Sequence, residues 1–69
     1  MLEHRYRIVV SGRLGDASRE AFADFKIESN GTNTTLVAAL DQSALYGALN
    51  RIQSLGLDLV ALSRIDDNS

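Results

Sequence analysis

Apolar and polar residues alternate along the first part of the chain and fall into a helical rhythm in the last part. Residues 5–11, "RYRIVVS", set Tyr6, Ile8 and Val10 on one side and are rich in β-branched types. A period of two with that composition predicts a strand. Gly12 and Gly15 punctuate its end. Residues 16–24, "DASREAFAD", offer an N-cap at Asp16 or Ser18, followed by Ala17, Ala21, Phe22 and Ala23. That predicts a short helix of about two turns, which needs tertiary support to persist. Phe25, Ile27 and Ser29 alternate in a second strand, and Asn30-Gly31 signals a tight turn. Residues 34–40, "TTLVAAL", make the third strand.

The next stretch is the most ordered of the chain. Asp41 is a good N-cap, with Leu40 before it and Leu45 where a hydrophobic staple would close. Leu45, Ala48, Leu49, Ile52 and Leu55 follow the spacing of one buried helix face. Gly56 stands where a helix ends in a left-handed residue, and Leu57 is set to fold back on Ile52 in a Schellman motif. A fourth strand follows over residues 58–65, and residues 66–69, "DDNS", read as a disordered tail. The order β-α-β-β-α-β predicts one α+β domain over residues 1–65, with a ferredoxin-like sandwich and a short first helix. If that helix does not form, the arrangement becomes a three-strand antiparallel meander, one helix and a final strand.

A sheet covered by helices on one side should be polar on the other. The first strand follows this with Arg5, Arg7 and Ser11, except at Val9. The third strand carries Val37 and Ala39 opposite Leu36, Ala38 and Leu40. The fourth reads as Leu57, Leu59 and Ala61 against Val60 and Leu62. Val9, Val37, Ala39, Val60 and Leu62 are therefore candidate interface positions, since contiguous apolar surface marks contact sites. Gly47 lies opposite the buried stripe of the second helix. With Ser43 and Ser54 it forms a small-residue ridge, which either tolerates the glycine at an exposed site or admits a close neighbour.

Composition narrows the functional classes. A chain of 69 residues is near the lower size for independent folding, where disulfides, metals or oligomerisation commonly assist. Cysteine is absent and His4 is the single histidine, which leaves oligomerisation and predicts a homodimer, joined through the open sheet face or by edge pairing, or a protein partner. Seven Lys+Arg against nine Asp+Glu argue against nucleic acid and anionic membranes as partners. No apolar run reaches the ~20 residues of a membrane span, and the charged N-terminus does not read as a signal peptide. The expectation is a cytoplasmic protein.

Chemistry is sparse. His4 has no evident nucleophile beside it and reads as a surface residue. Gly12-Arg13-Leu14-Gly15 lacks the third glycine and the lysine-serine ending of phosphate loops. Arg5, Arg7 and Arg64 are the best constellation: in a ferredoxin-like sheet the start of strand one lies beside the end of strand four. Guanidinium groups there suit a phosphate or carboxylate, or else pair with Glu3, Glu28, Asp66 or Asp67. No catalytic residue, metal ligand or cofactor site is assembled, so the chain does not read as an enzyme.

The segment "DQSALYGALNRIQSLGLDLVALSRI" resembles one found in short, uncharacterised actinobacterial proteins. The shared pattern is carried by Asp41, Gln42, Leu45, Gly47, Leu49, Arg51, Ile52, Leu55, Gly56 and Leu57. "VVSGRL" of residues 9–14 resembles that group's opening strand, and Tyr46 stands where the pattern has histidine. The resemblance implies a bacterial cytoplasmic protein without an assigned activity or cofactor. The function expected is a non-enzymatic interaction or dimerisation module. The alternatives are a domain that senses a small anion or metabolite and, behind it, a small dimeric enzyme of the ferredoxin-like barrel type.

Overall fold

Period-two segments become four strands and the period-3.6 segments two helices. The computed structural model describes residues 2–65. The elements are β1 (His4–Ser11), α1 (Asp16–Ala21), β2 (Lys26–Asn30), β3 (Asn33–Leu40), α2 (Gln42–Ser54) and β4 (Leu59–Arg64). The strands form one sheet in the order β2-β3-β1-β4, with every neighbouring pair antiparallel. The protein is thus an α+β domain with a four-stranded antiparallel sheet and two helices. The meander arrangement is not the one formed, because β3 separates β1 from β2 and both helices are present. The expected tail at 66–69 lies outside the described residues.

Residues directly opposite one another in an antiparallel pair share a face. Tyr6, Ile8 and Val10 of β1 oppose Ala38, Leu36 and Thr34 of β3, and Ile27 of β2 opposes Leu36. This face carries the core: Ile8, Val10 and Leu36 pack with Leu14, Phe22, Leu45, Ala48 and Ile52. Both helices therefore serve the same side of the sheet. Leu14, between two glycines, is buried and anchors the loop after β1. Thr34 is fully buried and polar, and its Oγ1 donates to the Gly12 carbonyl at 2.6 Å. That bond removes the cost of an unsatisfied hydroxyl.

The ends of α2 form as local chemistry dictates. Asp41 Oδ1 accepts from the Ala44 N–H at 2.8 Å, closing the N-cap. At the other end Leu57 N–H donates to the Ile52 carbonyl, and Gly56 N–H to that of Gln53, both at 3.1 Å. With Gly56 at φ +73°, this is the Schellman motif. The β2–β3 turn differs from the Asn-Gly expectation. Asn30 pairs with Asn33, leaving Gly31 and Thr32 as the loop, and Gly31 alone takes a positive φ. Glycine at the first central position is the pattern of a type II′ hairpin.

Helix α1 is shorter than expected and begins from Gly15, without a side-chain cap. Phe22, immediately after it, is fully buried and meets Phe25 edge to face at 5.2 Å. Arg51 of α2 donates from Nη1 to the Ala21 carbonyl at 2.6 Å, and its guanidinium lies 5.5 Å from the centre of the Phe22 ring. A cation at a helix C-terminus and over an aromatic face is favourable on both counts. These two contacts supply the tertiary support that so short a helix needs. No helix among the described residues is long and apolar enough to cross a membrane.

Removing the α2 cap checks the local account directly. Asp41→Ala should lower the unfolding free energy by about 1 kcal/mol, read by urea denaturation at unchanged m-value. Asp41→Asn should retain most of it.

Candidate interaction surface

The helix layer is narrower than the sheet, and the uncovered part is β4. All six residues of β4 are exposed. Leu59, Val60 and Leu62 remain 49%, 52% and 40% accessible, high for large apolar side chains held in a sheet. The register explains where they lie. Leu62 opposes the fully buried Ile8, and Leu59 opposes Val10, so both belong to the core-bearing face. Between Val9 and Val10 the ladder slips, and Val60 is the residue left without an opposite. Leu59 keeps its expected face, but beyond this β-bulge the faces are exchanged: Ala61 opposes Val9 on the open side, while Leu62 does not lie there. Leu62 and Val37 are therefore on different faces.

The open face is less apolar than expected. Val9 and Val37 are half-buried and Ala39 is exposed, and they sit among Arg5, Arg7, Lys26, Glu28 and Ser63. Within the sheet, the large exposed hydrophobes stand at the β4 edge rather than on the open face. Beside that edge, Leu49, Ile52 and Gln53 of α2 with Leu57, Asp58 and Leu59 line a shallow concavity, which extends the apolar surface from β4 towards the helix.

The two sheet edges differ in kind. β2 presents Lys26 and Glu28, which pair at 3.8 Å in the open. Charged side chains, lysine above all, block strand addition. β4 carries Leu-Val-Ala-Leu in the corresponding position, with neither lysine nor proline. Ile65 N–H donates to the Arg5 carbonyl at 2.8 Å, and hydrogen-bonded pairs alternate along an antiparallel ladder. Arg64 and Leu62 accordingly turn their backbone groups away from β1, towards the outer edge.

The arginine constellation is divided. Arg5 and Arg7 stand on the open face opposite Ala39 and Val37, whereas Arg64 opposes Tyr6 and so belongs to the other face. Lys26, also opposite Val37, is the cation that shares their side. Arg5, Arg7 and Lys26 border one shallow concavity with Glu28, Asn30 and Thr35. His4 is not in a loose terminus; it begins β1, half-buried, with its ring edge to face with Tyr6 at 6.5 Å. Among the described residues no group of three or more His, Cys, Asp or Glu is arranged to hold a metal ion.

On α2, Ser43, Gly47 and Ser54 are all exposed. A Cβ built at Gly47 meets nothing within 4 Å. Gly47 borders a groove with Asp24, Phe25, Ala38, Ala44 and Arg51. The Arg51 contacts that define this groove escaped the sequence reading, since no local pattern marks an exposed arginine as the partner of a distant helix end.

A family model described as "Domain of unknown function (DUF8691)" matches residues 5–63. No curated protein and no solved structure matches the chain.

The open space at Gly47 has a measurable consequence. Gly47→Ala should raise the unfolding free energy by about 0.5–1 kcal/mol, a shift of several degrees in Tm. A loss of stability would show that the position is tighter than its surroundings indicate.

Proposed function

Because the chain belongs to DUF8691, a family of unknown function, it inherits no activity, and we propose that it is a non-enzymatic interaction module that self-associates through the apolar β4 side of its sheet. The observation that carries this reading is the joint exposure of Leu59, Val60 and Leu62 on an edge strand. Contiguous exposed apolar surface favours a partner, and a small chain without cysteine has few other means of adding stability. The same reading takes the architecture as a ferredoxin-like sandwich. Its support is the element order β-α-β-β-α-β, the sheet order β2-β3-β1-β4 and a core shared by both helices on one face.

A second reading, a domain that senses a small anion, is favoured by one observation. Arg5, Arg7 and Lys26 converge on a single concavity of the open face. Glu28 weakens it by pairing with Lys26. Under this reading phosphate raises Tm in the native chain and not in Arg7→Ala.

Light scattering coupled to size exclusion, over about 5–200 µM, tests the first reading. The expected mass is twice the 7.5 kDa of one chain. The double variant V60K/L62K should return to the mass of one chain with an unchanged circular dichroism spectrum. A native chain that stays monomeric across the range contradicts the proposal.

A further inference from the structure

We infer that the second copy adds to the sheet by antiparallel pairing of β4 with β4 around a two-fold axis at Ala61, giving one continuous eight-stranded sheet. This rests on the self-association proposed above and names its partner and register. Each protomer has two edges, and β2 carries a lysine-glutamate pair that disfavours strand addition. Pairing β4 with β2 of the next copy would also propagate without closing, whereas β4 with β4 is isologous and stops at two.

The order of residues along the strand favours itself in reverse. Asp58 precedes Leu59-Val60-Ala61-Leu62-Ser63, and Arg64 ends it. Turned antiparallel about Ala61, the acidic start of one copy meets the basic end of the other, and Val60 of one copy opposes Leu62 of the other. The smallest side chain of the stretch, Ala61, then stands at the axis. Its backbone groups face β1, opposite Val9, so Ala61 meets its own copy in a non-hydrogen-bonded pair. Such pairs have Cα atoms only ~4.5 Å apart, where a small residue fits best. Leu62, turned outwards, supplies backbone donors and acceptors on either side of the axis. On the core-bearing face, which Leu62 shares with Ile8, each Leu62 meets Val60 of the other copy, and Leu59 joins this apolar strip to Leu49 and Ile52 of α2 within each protomer.

The chain contains no cysteine, so single introduced thiols report proximity cleanly. The test oxidises Ala61→Cys, Val37→Cys and Ser54→Cys chains with copper phenanthroline at a concentration where the native chain has the mass of a dimer. A Cα separation of ~4.5 Å lies within disulfide range. Ala61→Cys should convert most of the chain to a covalent dimer within minutes, and the other two should not. As a second measurement, Asp58→Arg should raise the dissociation constant roughly tenfold by setting like charges at both ends. Combining it with Arg64→Asp should restore the native affinity. A dimer that crosslinks through Val37→Cys and not Ala61→Cys overturns the β4 register while leaving self-association standing. A charge swap without rescue also overturns the register. A native chain that is monomeric throughout overturns both.

Discussion

A single row of side chains crosses all four strands on the core-bearing face: Ile27, Leu36, Ile8 and Leu62. The two in the middle are fully buried, and Leu62 at the β4 end is 40% accessible. What decides the difference is the reach of the helix layer. Leu45, Ala48 and Ile52 of α2 close over Ile8 and Leu36, and Phe22 fills the remaining space. Neither helix covers β4, so the apolar row continues past the edge of its own roof.

The other helix of that layer, α1, has six residues and no side-chain cap. So short a helix is marginal by itself. It stays because Phe22 is buried beneath it and Arg51 reaches across to the carbonyl of Ala21. Burying a leucine or valine fully is worth about 1.5–3 kcal/mol, and small domains have only several kcal/mol of net stability. Half-covered Leu59, Val60 and Leu62 therefore represent a stabilisation that is large for this chain and is withheld until something covers β4. In the proposed dimer, folding and association are coupled through one strand.

Features with local causes were legible in the sequence. The α2 cap at Asp41, its buried stripe and its Schellman ending at Gly56 and Leu57 each depend on residues within one or two turns. The strands were legible for the same reason. The faces of β4 were not, because a bulge at Val60 shifts the alternation by one, and nothing in Leu-Val-Ala-Leu-Ser-Arg marks which residue is the extra one. That shift moved Leu62 away from Val37, and the opposite faces of Tyr6 and Arg7 separated Arg64 from Arg5 and Arg7. The sequence pattern places the apolar surplus on the open face, whereas the large exposed side chains of the sheet stand at its β4 edge. Arg51 was invisible to pattern reasoning because its partner, Ala21, lies thirty residues away in the chain.

The central claim is that the outer edge of β4 is a hydrogen-bonding surface awaiting a partner. Amide hydrogen exchange across a concentration series reads that edge residue by residue. Ala61 and Ser63 face β1 and should be protected at every concentration. Leu62 and Arg64 face outwards, and their amides should pass from fast exchange in dilute solution to protected exchange as the chain is concentrated. Fast exchange at Leu62 and Arg64 that does not change with concentration would contradict the account.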